Sequence, residues 1–280
     1  MLEKELEIVK KVIKEAGNAA LSYYGEKSDN KVEIKGTEGN QSPVTDADLA
    51  AEKVIIEGVK QFGYGILSEE TLDDKSRYEN DRIWVIDPLD GTKDFIQQTG
   101  EFSIIIGLIE DGYPIMGIIY QPVDKLLYYA IKDQGAYLET EGGKTSLLKV
   151  SNVKIIEEMK MFISRNHLMT HEQKFINKFK IKTISCGSAG IKICKLAKQD
   201  AEIYVNSSDR TGEWDICAGD IIIQEAGGII TDLDGNKFKY NRKNSINKNG
   251  FLVSNGKNHE KILNELNQLR GGDGENTIIK

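Results

Sequence analysis

The sequence is poor in the residues that support disulfide and soft-metal chemistry. Only three cysteines occur in 280 residues: Cys186, Cys194 and Cys217. Their number is odd and none is in CxxC spacing. A disulfide frame and a thiolate zinc site are therefore excluded, and buried thiols in a reducing compartment are expected. Three histidines are too few for a His-rich metal site, so any metal must be held by oxygen. Positive charge is not in excess, because 37 Lys and Arg face 44 Asp and Glu, a net charge of −7. Binding to nucleic-acid polymers calls for a basic surface, so polymeric DNA or RNA is a poor partner. No apolar run approaches the roughly 20 residues of a membrane span. The opening Met1-Leu2-Glu3-Lys4-Glu5 is charged where a signal peptide would be apolar. A cytoplasmic protein with no membrane partner is expected.

Hydrophobic residues make up 39% and charged residues 29%, which places the chain among globular proteins. Its length suits two domains or one large one. Leu6, Val9, Ile13, Ala16, Ala20 and Tyr23 recur at helical spacing, which predicts an amphipathic helix over 3–24. Residues 26–43 read as a loop with room for a short strand pair. A second helix is expected from an N-cap at Thr45 to Phe62. Ile66-Leu67 and Ile83–Ile86 read as buried strands that end at Ser68-Glu69-Glu70 and Asp87-Pro88. Residues 102–138 hold four Ile- and Tyr-rich segments separated by turn signals, which predicts an antiparallel meander. A polar stretch near 140–152 suggests a boundary between residues 1–145, an α+β unit, and 146–270, where strands and helices alternate in α/β fashion. Residues 271–280 are expected to be a flexible tail.

Carboxylates mark the candidate chemistry. A buried strand delivers Asp87, Pro88 is expected to force a turn, Asp90 follows, and Gly91-Thr92 opens a helix whose free amides suit an anion. Acids that converge there attract a hard cation, and Mg²⁺ accepts carboxylates, carbonyls and phosphate oxygens. Asp215 falls in the first turn of a later helix, where the helix dipole alone would favour an acid. Glu225-Ala226-Gly227-Gly228 reads as a helix C-terminus, with Glu225 structural. Glu69 ends a strand, and Asp48 with Thr45 fits a capping box. If these acids lie within about 5 Å of one another, each ionised pair costs about 3 kcal/mol at an effective dielectric near 20. Such a cluster persists only with protons or cations in it.

The runs Asp87-Pro-Leu-Asp-Gly-Thr92 and Trp214-Asp215, with Glu-Ala-Gly-Gly at 225–228, resemble the two signatures of the inositol monophosphatase superfamily of Mg²⁺-dependent phosphatases. The resemblance extends from about Leu6 to Leu269. Lys93-Asp94-Phe95, Gly100-Glu101-Phe102, Ser164-Arg165-Asn166-His167 and Arg210–Asp215 are similar to the CysQ-type 3′(2′),5′-bisphosphate nucleotidase branch. The resemblance implies a layered αβαβα sandwich of α/β class. It also implies lithium sensitivity and hydrolysis of adenosine 3′,5′-bisphosphate to AMP and phosphate, a step linked to sulfur metabolism. Inositol 1-phosphate or a sugar phosphate is the alternative substrate. Two or three Mg²⁺ ions are implied. Glu69, Asp87 and the Leu89 carbonyl would hold one, and Asp87, Asp90 and Asp215 a second. Asp48 and Thr92 would activate the attacking water, with Glu69 and Asp90 counted in the catalytic set. The Gly91 and Thr92 amides would hold the phosphate, and His167, Ser188, Lys192 and Arg210 would join Glu69, Leu89, Asp90 and Asp215 around the substrate. Two positions depart from the pattern: Ala189 replaces a common Ser, and Asn206 replaces an Arg that grips the second phosphate. Arg210 is the candidate substitute. The partner implied is a small phosphorylated molecule, and the assembly a monomer or homodimer.

Overall fold

The computed structural model describes residues 2–25, 32–35, 42–73, 75–165, 168–271 and 278–279. Seven helices occur among them: α1 (Glu3–Leu21), α2 (Asp46–Val59), α3 (Thr92–Ile96), α4 (Thr170–Phe179), α5 (Ala189–Ala197), α6 (Glu213–Glu225) and α7 (His259–Gly271). The first strands are β1 (Val32–Lys35), β2 (Ser42–Thr45), β3 (Gly65–Ser68), β4 (Arg82–Asp90), β5 (Ser103–Glu110) and β6 (Tyr113–Gln121). They continue with β7 (Leu126–Ile131), β8 (Ala136–Glu139), β9 (Thr145–Leu147), β10 (Lys160–Ser164), β11 (Leu168–Met169) and β12 (Lys182–Cys186). The last are β13 (Ile203–Asn206), β14 (Thr211–Gly212), β15 (Ile229–Thr231), β16 (Ile246–Asn247), β17 (Phe251–Ser254) and β18 (Ile278–Ile279).

Strands β3 to β9 form a seven-stranded sheet in sequence order, antiparallel except for the β3–β4 pair. A second sheet has the order β12-β10-β13-β17-β15. Both sheets are covered on both faces, which is why their strands read as nearly continuous apolar runs. Along β4 and β5, Trp84, Ile86, Ile104 and Ile106 face α1 and α2, while Ile83, Val85, Ile105 and Ile109 face α5 and α6. The inner face of the second sheet, with Phe162, Tyr204 and Phe251, closes the other side of that central core. On its outer face Met161, Ile203 and Leu252 pack against α4 and α7. The layers are therefore helix, sheet, helix, sheet, helix. Burying each such side chain contributes about 1.5–3 kcal/mol. The central helix α6 lies so close to the first sheet that a Cβ at Gly117 would stand 2.4 Å from the Ala218 carbonyl oxygen.

One local expectation needs correction. Pro88 does not end its strand. β4 runs on to Asp90, with one extra residue that shifts its register against β5 from Asp87↔Ile105 to Asp90↔Ser103. Proline lacks the amide that a regular ladder needs, so the chain bulges instead of turning. The polar stretch near 145 contains β9, the seventh strand of the first sheet, and the central core draws on residues from both sides of it. Of the expected tail, residues 272–277 and 280 lie outside the described residues, and Ile278–Ile279 pairs antiparallel with Leu168–Met169. The strand pair anticipated within 26–43 is β1–β2. The three cysteines are free and buried. No helix among the described residues is long and apolar enough to cross a membrane.

Candidate active site

The bulge at the end of β4 is what aims Asp87 and Asp90 to one side. Asp215 arrives from the first turn of α6, where its carboxylate accepts the Gly212 amide. One carboxylate oxygen from each of Asp87, Asp90 and Asp215 lies within 4.8 Å of the others. Asp87 is fully buried and Asp90 nearly so. Burial, and then the charges of Glu69, Asp90 and Asp215, hold the Asp87 carboxyl well above the usual carboxylate range. The donor set is all oxygen, as the shortage of His and Cys requires.

The hydrogen bonds divide the oxygens of these acids between protein and open space. Asp87 Oδ1 accepts the Leu89 amide at 3.0 Å, while its buried Oδ2 has no partner. Asp90 Oδ2 accepts the Ser188 hydroxyl, the Gly190 amide at 2.8 Å and the Ser103 hydroxyl at 3.5 Å, which leaves Oδ1 outside these bonds. A buried, unpartnered carboxylate oxygen costs several kcal/mol unless a proton or cation meets it. The cluster therefore fits a hard divalent cation. Glu69 borders it and is half-buried at the end of β3, where its charge acts on both Asp87 and Asp48.

Asp48 serves two purposes. Its Oδ2 accepts the Thr45 amide at 2.8 Å and the Thr45 hydroxyl at 2.6 Å, which caps α2. Its Oδ1 lies 3.3 Å from the Thr92 hydroxyl, which is also 3.3 Å from the Leu89 carbonyl oxygen. The capping reading and the catalytic reading are thus compatible. Burial, and the Glu69 charge after it, raise the Asp48 carboxyl to about 6, against hydrogen bonds from Thr45 that lower it. A base that titrates near neutrality is suited to taking a proton. Gly91, with φ of 97°, turns the chain from the bulge into α3 and brings Thr92 beside Asp48.

Other anticipated residues are placed differently. Ser188 lies inside the site, as the cap of α5 and a partner of Asp90. Lys192 is only 3% exposed, and its ammonium donates to the Cys186 and Gly187 carbonyl oxygens, both at 3.2 Å. Burial lowers its pKa. It stiffens the turn that carries Ser188 and offers nothing to solvent. Arg210 is exposed on the turn before β14. His167 lies outside the described residues. Glu225 is structural, accepting the Asp133 amide at 2.8 Å and the Gly135 amide at 2.7 Å.

Sequence reasoning passed over two supports. Ser103, a lone polar residue at the start of an apolar strand, is fully buried against Asp90 and Ser188. Arg165 joins Asp94 and, at 2.6 Å, Glu101, while Glu101 also accepts the Gly187 amide at 2.9 Å. This network ties the two halves of the chain together beside the site. The isolated Ser was readable as a signal, whereas the Arg165 link joins residues too distant in sequence.

The profile of the inositol monophosphatase family matches residues 1–270. The chain belongs to the inositol monophosphatase family. A 3′(2′),5′-bisphosphate nucleotidase CysQ of Salmonella typhimurium is 34% identical over 253 residues, which cover 89% of this chain and 99% of that protein. A fructose-1,6-bisphosphatase/inositol-1-monophosphatase of Thermotoga maritima is 28% identical over 264 residues, covering 92% and 94% respectively. Among solved structures, CysQ from Bacteroides thetaiotaomicron superposes with a TM-score of 0.77 at 30% identity, covering 92% of this chain and 98% of that one. The layered architecture described above is that of this inositol monophosphatase family.

Proposed function

We propose that this protein is a Mg²⁺-dependent phosphomonoesterase that hydrolyses adenosine 3′,5′-bisphosphate to AMP and phosphate. The observation that carries the reading is the buried, unpartnered Asp87 Oδ2 within a three-carboxylate cluster, beside a Thr92–Asp48 pair. The similarity to CysQ proteins supports the choice of substrate. Asp87, Asp90, Asp215, Glu69 and the Leu89 carbonyl would hold Mg²⁺, the hard cation that such oxygens suit. When bound, Mg²⁺ would neutralise charge on the phosphoryl group and make water more acidic. The remaining work falls to the chain. Thr92 Oγ1 orients the attacking water by accepting one of its protons, and passes its own hydroxyl proton to Asp48 Oδ1. The Gly91 and Thr92 amides face the phosphoryl oxygens. Ser188, Ser103 and Gly190 hold Asp90 in place so that it needs no reorganisation during turnover.

A second reading, an inositol-1-phosphate or sugar-phosphate phosphatase, is favoured by one observation. Asn206 is neutral and Lys192 is committed to main-chain carbonyls, so two of the positions expected around a second phosphate offer it no cation. The test is phosphate release with Mg²⁺ from adenosine 3′,5′-bisphosphate, 3′-AMP, inositol 1-phosphate and fructose 1,6-bisphosphate. The first substrate should give the highest kcat/KM, and Arg210→Ala should raise its KM while leaving 3′-AMP nearly unchanged. Faster hydrolysis of inositol 1-phosphate, with equal rates on the two nucleotides, would transfer the assignment to the second reading.

A further inference from the structure

Away from the carboxylate cluster, the segment between β15 and β17 folds back on itself and lines an open cavity of about 530 Å³. That volume falls within the range of small-molecule sites. Its wall carries Lys237, Lys239, Lys248 and Arg242 against a single acid, Asp232, in a chain whose net charge is −7. Arg242 is already paired, with Glu213 at 2.9 Å. Asp232 is also committed: its carboxylate accepts the Asp234 amide at 2.9 Å, the Asn236 amide at 2.8 Å and the Asn236 side-chain amide at 3.1 Å. The three lysines make no ion pair among the described residues, although the Lys237 charge acts on the buried Asp220 carboxyl, so the wall of the cavity is predominantly positive.

Behind the wall lies a donor that the cavity does not reach. Asn249 lines this cavity, and its Nδ2 is a buried donor with no hydrogen-bond partner. The amide cannot be turned over without loss, because its Oδ1 accepts Arg270 Nη1 at 3.0 Å. The cavity therefore combines ammonium groups with no uncommitted acid on its wall. That is the complement of an acceptor-only dianion, and phosphate esters are the common small metabolites of that kind.

The wall is also fixed in place. Asn247 donates to the Gly212 carbonyl oxygen at 2.9 Å, and the Glu213 amide donates to the Ser245 carbonyl oxygen at 2.8 Å. Strand β16, which lines the cavity, thus pairs with β14 and is secured to the head of α6, so little ordering would accompany binding.

We propose that this cavity is a second anion site, separate from the carboxylate cluster, which takes the phosphate group of a small phosphorylated metabolite. The proposal does not depend on the phosphatase reading.

The experiment is equilibrium dialysis of labelled inorganic phosphate against the full-length chain in Mg²⁺ buffer at low ionic strength, with wild type compared with the double variant Lys237→Ala, Lys248→Ala. Wild type should show a class of sites that weakens as salt is added. In the double variant the affinity of that class should fall by at least about tenfold. The melting temperature and substrate turnover should stay unchanged, since neither lysine touches the candidate active site. Failure of the phosphatase reading would appear instead as absent turnover in both proteins, with the lysine-dependent class intact. Phosphate uptake that is the same in wild type and double variant would overturn the proposal.

Discussion

Replacing Asp87 by Asn separates the cost of the carboxylate cluster from its purpose. Carboxylate oxygens of Asp87, Asp90 and Asp215 lie within 4.8 Å of one another. At an effective dielectric near 20, an ionised pair at that distance repels by about 3.5 kcal/mol. Asparagine keeps an acceptor for the Leu89 amide and puts a donor where the unpartnered Oδ2 now stands, facing two acids. Without metal, Asp87 either stays ionised against its neighbours or takes up a proton at a cost to folding, and asparagine avoids both, so the variant should melt about 2 °C or more above wild type. With Mg²⁺ the order should reverse. A cation at a hundredfold excess over its dissociation constant stabilises by about 2.7 kcal/mol, and the variant should gain much less. Calorimetry in EDTA and in Mg²⁺, with phosphate release measured on the same samples, reads all three quantities. The reasoning fails if the metal-free variant melts several degrees lower, or if it gains as much from Mg²⁺ as wild type does.

Three further outcomes are expected. Thr92→Ala and Asp48→Asn should each lower kcat by about 10²–10⁴-fold, and steady-state kinetics of the double variant should show little further loss if the two groups act as a unit. Gly117→Ala should destabilise the fold by about 1–3 kcal/mol in urea unfolding, since the added methyl would stand 2.4 Å from the Ala218 carbonyl oxygen. His259 is held between the Thr231 and Ser254 hydroxyls, and burial lowers its pKa to about 4 from 6.5. The unfolded chain therefore takes up this proton before the folded one does, so stability present above pH 6.5 should drain away as the pH falls towards 4. His259→Gln should show a flatter pH dependence in that window.

The elements that could be read in advance were those with local signals. The apolar strand into Asp87, the capping pattern at Thr45 and the Glu-Ala-Gly-Gly helix end all lie where their sequence puts them. The apolar run of β4 reads as a buried strand, and the punctuated runs of β5 to β8 as the antiparallel meander that the sheet contains. The bulge after Asp87 was misread as a turn because Pro88 signals a break in pairing without saying whether the strand resumes. The family resemblance alone put Lys192 around the substrate. Its direction depends on the main chain at Cys186 and Gly187, which curls back over it. Arg165 and Ser103 gained their meaning only once strands distant in sequence had been brought together. The β14–β16 pairing was not foreseen, since each strand is two residues long and carries no periodicity.

The central core has a consequence for how the chain can come apart. Residues before and after the exposed hairpin at 140–144 contribute to one apolar cluster, and Asp87 and Asp90 come from one side of that hairpin while Asp215 comes from the other. A cut in the hairpin would leave two fragments, each with an uncovered apolar face and an incomplete set of acids. Neither fragment could assemble the site alone, and mixing them would restore core and carboxylate cluster in a single event. The hairpin is therefore a natural place to divide the protein for split-reporter complementation, with recovered activity as the signal that both halves have docked.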